Sequence, residues 1–277
     1  MENIRVVVLR DFSYTERPGE EELAIERFLS AAPFHIAISV QPPSKILTKG
    51  FIENPDVLIS FGLKKYPSEV LDWVLTHPRH IHVEQDWWEP TQPNHEYRNR
   101  IAEQAAALVF LSPMHMDRYL RIYNVEPKVA LCAMFPLLET DFSDASLVPT
   151  EEEVLWHAPW HPDYGNDLML SWAKRTGQKV SASGLETPIG EITQNVIGIG
   201  NIALDAAAPV MRKYSKFIYF PRKPIPFGFA SFLAYMYGLE ITYSGEIGWQ
   251  SWNESALVSL GLQAASLFWD SVSVVAA

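Results

Sequence analysis

Hydrophobic and polar positions alternate along this chain in blocks rather than residue by residue. Ile4-Arg5-Val6-Val7-Val8-Leu9 is a β-branched run as long as a buried strand, and a polar stretch ending in Pro18-Gly19 follows it. A helix over 20–29 comes next. Its first turn carries Glu20, Glu21 and Glu22, where the positive end of the helix dipole favours acids, and Leu23, Ile25, Phe28 and Leu29 are its apolar residues. Further strands are predicted over 35–40, 56–60, 80–83 and 107–111, with helices over 68–75, 94–104 and 113–123. Ser112 reads as the cap of the last of these helices and Pro113 as its first residue, because Ser accepts from a free helix N–H and Pro has none to satisfy.

The chain then changes character over 140–153, where Asp141, Ser143, Asp144, Ser146 and Pro149 precede Glu151, Glu152 and Glu153; this stretch is predicted to be a linker. The alternation restarts after it. Strands are predicted over 154–157, 179–182, 216–220 and 240–243, and helices over 167–176, 229–237 and 254–272, with loops running through Gly165 and over 221–228. Strands that alternate with helices build mainly parallel sheets covered on both faces. The expected class is therefore α/β, with two Rossmann-like domains at 1–140 and 154–277 joined by a linker at 141–153. A length of 277 residues suits two domains.

Composition narrows the functional classes. Hydrophobic residues make up 48% of the chain and charged residues 20%, as in a globular protein. The net charge of −11 gives nucleic-acid binding no support, and Lys64, Lys65, Arg98, Arg100, Arg118 and Arg121 read as solvated cations. Cys132 is the single cysteine, which excludes an internal disulfide and a Cys-based zinc site and fits a reducing cytoplasm. The opening segment has too short an apolar core for a signal peptide, and no apolar run approaches the ~20 residues of a membrane span, so no span is expected.

In open α/β sheets ligands bind beyond the carboxyl ends of the strands. The turn Pro221-Arg222-Lys223-Pro224-Ile225-Pro226-Phe227-Gly228 follows a strand, carries two cations and ends where a helix begins, which suits a diphosphate. A stiff surface loop with solvated cations fits the same residues. In Glu84-Gln85-Asp86-Trp87-Trp88 the Asp86 carboxylate can orient or deprotonate a hydroxyl while Trp87 or Trp88 stacks on a flat ligand; equally, Asp86 caps a turn and the Trp residues close the core. His80 and His82 share one face of a strand, yet the lack of Cys partners and of an HExxH arrangement argues against metal. His157 and His161 are candidate phosphate donors in the second domain or satisfied strand-end residues.

Three segments carry a family resemblance. Lys216-Phe217-Ile218-Tyr219-Phe220-Pro221 through Pro226-Phe227-Gly228 to Ala234-Tyr235-Met236-Tyr237-Gly238-Leu239 resembles the donor-site segment of retaining GT-B glycosyltransferases, although the family's two acids fall at Ile225 and Leu233. Val154-Leu155-Trp156-His157-Ala158-Pro159 through Gly165-Asn166-Asp167-Leu168 resembles the opening strand and turn of the donor domain, with Tyr164 at the family's Lys position. Ala106-Ala107-Leu108-Val109-Phe110-Leu111-Ser112 resembles the last acceptor-domain strand, and Pro18-Gly19-Glu20 the glycine turn after the first strand.

The resemblance implies two facing domains with a cleft between them. It implies donor-binding roles for His157, His161, Gly165, Arg222, Lys223, Phe227 and Gly228, and acceptor-side roles for Gly19, Gln85, Trp87, Trp88, Ser112 and His115. Asp86 would be catalytic, with Gln85 at the family's His position. The expected reaction moves a sugar from a nucleotide-diphosphate sugar, a UDP-sugar among the candidates, to an acceptor hydroxyl on a modified DNA base, a glycan or a small molecule. No cofactor or metal is required if Arg222, Lys223 and the helix end at Gly228 neutralise the departing diphosphate. Small members of this kind occur in viruses, which would place the protein in a host cytoplasm. A non-catalytic nucleotide-sugar-binding protein and a nucleotide-sugar isomerase or epimerase stay open beside the transferase.

Overall fold

The computed structural model describes residues 3–17, 19–43, 55–85, 95–141 and 151–277, with 95–97 and 151–152 described by main chain alone. The chain divides into two compact units: Met1–Arg17 with Ala24–Leu137 and Gln250–Ala277, and Pro18–Leu23 with Leu138–Trp249.

In the first unit the strands are β1 (Ile4–Arg10), β2 (Ile36–Gln41), β3 (Val57–Phe61), β4 (His80–Glu84), β5 (Ala107–Phe110) and β6 (Ala130–Cys132). They form one sheet in the order β2-β1-β3-β4-β5-β6, parallel throughout. The helices α1 (Glu20–Ser30), α2 (Ser68–Thr76), α3 (His95–Gln104) and α4 (Pro113–Tyr123) alternate with the strands. Central strands of a parallel sheet lose water on both faces, and that is why Val6, Val7, Val8 and Leu9 of β1 and all of β3 are apolar or small and buried. Val70 and Val74 of α2, Ile101 of α3 and Tyr119 and Tyr123 of α4 pack on one face with Leu58, Leu108 and Phe110.

The second unit repeats the plan. Its strands are β7 (Glu151–His157), β8 (Val180–Ser183), β9 (Ile189–Thr193), β10 (Val196–Gly200), β11 (Tyr214–Tyr219) and β12 (Glu240–Tyr243), ordered β12-β11-β7-β8-β10-β9. All neighbours are parallel except β9 and β10, an antiparallel hairpin at the sheet edge. The helices α5 (Asn166–Thr176), α6 (Ala207–Met211) and α7 (Phe229–Met236) complete it. Both units are thus mainly parallel α/β layers, as the alternation predicts.

Three features depart from the sequence reading. The acids Glu151, Glu152 and Glu153 open β7 rather than close a linker: Glu151 pairs in register with Tyr214, and Glu153 accepts a 2.9 Å hydrogen bond from Ser181 Oγ. The hairpin β9–β10 and the short strand β6 come as additions. Most consequential, residues 250–277 join the first unit, where the expected domain of 154–277 would have kept them in the second.

The cause is the last helix, α8 (Leu257–Ala276). It buries Leu257, Gly261, Ala264, Phe268, Trp269 and Val272, a stripe at helical spacing. Trp269 donates its indole N–H to the Phe28 carbonyl at 2.7 Å, and the Phe268 ring lies 4.7 Å from Phe28 and 6.3 Å from Phe61. Leu137 approaches so closely that a Cβ on Gly261 would sit 2.2 Å from its Cδ1. By length and composition alone Glu254–Ala276 could cross a membrane, its most apolar 18-residue stretch having a mean hydropathy of 1.3. In the fold their buried stripe is spent on the first unit.

Candidate functional site

The turn after β11 is held from several sides. Ile225 N donates to Glu246 O at 3.0 Å, Gly248 N to Ile225 O at 2.9 Å and Trp249 N to Phe227 O at 2.9 Å. Gly228 then starts α7 in the left-handed conformation, φ 89°. No other residue fits there comfortably, since a Cβ would also lie 2.5 Å from Ile247 Cγ2. The N–H groups of Gly228 and Phe229 do not face empty space. They donate to Oε1 and Oε2 of Glu20, both at 2.8 Å. The first turn of α1 belongs to the second unit by its contacts, so this pairing is internal to that unit.

The two cations of the turn are partnered. Arg222 pairs through its guanidinium with Asp167 on α5, and its N–H donates to Asp163 O at 2.9 Å; Lys223 Nζ lies 3.1 Å from Asp163 Oδ2 and 5.4 Å from the centre of the Tyr164 ring. Asp167 is held below the usual carboxylate range, chiefly by its hydrogen bond to Arg222. These side chains are one-third to one-half exposed, and ion pairs of that kind contribute about 0–1 kcal/mol. A diphosphate, with two negative charges, can therefore take the cations from their carboxylates at small cost.

The remaining second-unit candidates divide by burial. His157 ends β7, buried, and loss of water lowers its pKa to about 4, so it is neutral at physiological pH and offers one ring N–H rather than a charge. His161 lies outside the core and caps the 3-10 turn Pro162–Tyr164 by accepting from Asp163 N at 3.2 Å. Gly165 has φ 81°, and a Cβ there would lie 1.9 Å from the Phe220 carbonyl. Its role is to let the start of α5 pass the end of β11. Phe227 is fully buried, 5.6 Å from Phe232, which makes it a packing residue. Ile225 and Leu233 are buried as well, so the two positions where the family carries acids belong to the core of this unit.

Gly165→Ala should cost about 2–4 kcal/mol, from the left-handed penalty plus the carbonyl clash. Urea unfolding followed through the second unit's Trp emission reads this directly, and a loss below about 1 kcal/mol would mean that the turn yields.

In the first unit Ser112 caps α4 as the sequence predicts, accepting from His115 N at 3.1 Å with Pro113 behind it. His115 is fully buried, its ring 5.4 Å from Phe110, and Gln85 is buried just past β4. Gly19, expected on this side, belongs to the second unit. Asp86, Trp87 and Trp88 lie outside the described residues.

Beside these positions β3, β4 and α3 bring together a buried chain of polar groups that the sequence reading took only in part. His80, His82 and Glu84 alternate along one face of β4. Ser60 Oγ is 2.7 Å from both His80 Nε2 and His82 Nδ1, His82 Nε2 is 3.6 Å from Glu84 Oε2, and Arg98 NH1 reaches Glu84 Oε2 at 2.9 Å. Burial alone would raise the Glu84 pKa, but the Arg98 charge and the His82 hydrogen bond bring it down to about 2. His80 is pushed well below its usual range by burial and by His82 and His77. Arg98, counted above as a solvated cation, is buried instead, because Glu84 neutralises it there. Among the described residues no group of three or more His, Cys, Asp or Glu is arranged to hold a metal ion.

No protein-family model matches the sequence, and no curated protein matches it either. The fold does have neighbours. HepE of Anabaena, solved in complex with UDP-glucose, superposes with a TM-score of 0.67 over 98% of this chain and 94% of its own, at 13% identity. The chain has the GT-B fold. A glycosyltransferase of Rickettsia africae gives a TM-score of 0.60 at 11% identity, covering 100% of this chain and 94% of its own. Sucrose-phosphate synthase of Thermosynechococcus elongatus gives 0.54 at 11%, over 98% and 94%. The GT-B plan thus extends over nearly the whole chain although few residues are shared.

Proposed function

We propose that this chain transfers a sugar from a nucleotide-diphosphate sugar to an acceptor hydroxyl. The observation that carries the reading is the Gly228 turn, where two adjacent main-chain N–H groups at a helix start already hold an oxyanion, with Arg222 and Lys223 on the same turn. The HepE neighbour holds UDP-glucose, which supports a UDP-sugar as donor. In the reaction the acceptor oxygen bonds to the anomeric carbon, the bond from that carbon to the diphosphate breaks, and its electron pair leaves with the phosphate. Arg222, Lys223 and the α7 amides stabilise that charge, so no metal or cofactor is needed. The acceptor proton goes to a carboxylate, for which Asp86 is the candidate, and Gln85, Trp87 and Trp88 are the candidate acceptor-side residues.

A glycan or small-molecule acceptor fits better than a modified DNA base, because the chain carries −11 net charge and Arg98 is committed to Glu84. A cytoplasmic setting agrees with the single Cys132, and a viral-type member is part of the same reading. One observation favours a second reading, a nucleotide-sugar binder without turnover: the core takes both Ile225 and Leu233, so neither position supplies an acid.

Calorimetric titration with UDP-glucose tests the first step. Arg222→Ala is expected to weaken binding about 10- to 100-fold, the worth of a charge-assisted hydrogen bond. Unchanged affinity would remove the phosphate assignment. UDP release in the presence of candidate acceptors separates the two readings, for the binder shows none.

A further inference from the structure

Glu20 stands in the place where the proposed reaction needs a phosphate. Its two carboxylate oxygens take the N–H groups of Gly228 and Phe229, one each, at 2.8 Å, across 208 and 209 residues of sequence. Gly228 has no side chain to cap the helix, so the cap comes from a distant part of the chain. An ordinary carboxylate brought out of water is paired with a cation. Glu20 has no ion pair among the described residues, and Arg222 and Lys223 on the facing turn are directed to Asp167 and Asp163 instead. Tyr219 of β11 is near enough for the Glu20 charge to act on its hydroxyl, as Tyr164 also does; on its own helix Glu21 and Glu22 are further acids.

Resting on the donor reading above, we infer that Glu20 is an internal competitor for the donor's phosphate: while its carboxylate holds the α7 amides the seat is closed, and its neutralisation or withdrawal opens it. A neutral acceptor such as Asn or Ser caps a helix start about as well as an acid does, and it needs no counter-charge. An acid without a counter-ion gives a seat that responds to proton concentration. The residue as a whole is partly exposed, but its carboxyl end is enclosed, and that loss of water raises its pKa to about 7 against the opposing pull of the Phe229 and Gly228 amides. Below pH 7 the group is the neutral acid and competes weakly; above it the full negative charge grips the amides and repels an incoming phosphate.

UDP-glucose is a suitable probe because its diphosphate is a diester with no proton to gain or lose near pH 7. Its affinity for the wild-type protein should fall about tenfold between pH 6 and pH 8, as the open fraction follows the protonated fraction of one site. Glu20→Gln should bind about tenfold more tightly than wild type at pH 8 and show little slope, and Glu20→Ala should do the same through removal of the side chain. Circular dichroism establishes that each variant is folded. Wild-type binding with equal or weaker binding by both folded variants at pH 8 would overturn the competitor and leave the donor reading intact. No UDP-glucose binding by wild type or either folded variant at any pH would remove both.

Discussion

Glu84→Gln should lower the stability of the first unit by about 3–5 kcal/mol at pH 7, the cost of leaving one member of a buried ion pair without the other. Arg98 is the reason. Its guanidinium is buried and meets Glu84 Oε2 at 2.9 Å, so a neutral amide in place of the carboxylate removes the negative charge that balances it there. The loss has a pH signature. Glu84 titrates at about 2 in the folded chain and near 4.5 unfolded, so the ionised form contributes its stability above pH 4.5 and surrenders it as the pH falls through 2. Urea titrations at pH 7 and pH 3 should therefore show the gap between variant and wild type narrowing in acid. Pairing Glu84→Gln with Arg98→Met should recover much of the loss, since the unbalanced buried charge goes too. A single variant within 1 kcal/mol of wild type at pH 7 would mean that the pair is dispensable.

Trp269→Ala is the second large effect, about 3–5 kcal/mol. The ring is fully buried, packs 5.3 Å from Phe268, and its N–H satisfies the Phe28 carbonyl. Truncation opens a cavity and leaves that carbonyl without its donor. Because α8 follows the rest of the first unit's sequence only after the whole second unit, its loosening should be separable: amide exchange is expected to rise across 257–276 and in α1 while β7, β8 and β11 keep their protection. Uniform loss of protection in both units would contradict this account of what α8 holds.

Much of the fold was legible because most elements are locally determined. The run from Ile4 to Leu9 can only be a buried strand, and Ser112-Pro113 marks a helix start by two independent constraints. What stayed hidden depends on partners far away in sequence. Strand β6 has three residues and takes its identity from pairing with β5; the hairpin β9–β10 leaves Ile189 and Ile197 exposed, so no clean inside–outside alternation announces it. An apolar C-terminal helix does not say which unit it covers. The site divides in the same way. A cationic, proline-stiffened turn ending in Gly228 is visible in the sequence, whereas the engagement of its amides by Glu20 is a contact that no local pattern encodes. His80, His82 and Glu84 carried a readable signal, an alternation of ionisable residues on one strand face, but Arg98 as their partner lay outside it.

The return of α8 to the first unit fixes the order in which a nascent chain can mature. Synthesis delivers β1 to β6 first, yet the groove that Phe268 and Trp269 fill stays open until the ribosome has also made every residue of the second unit. The half begun earliest is finished last, and until then Phe28 and Phe61 offer a greasy surface to chaperones or to other unfinished chains.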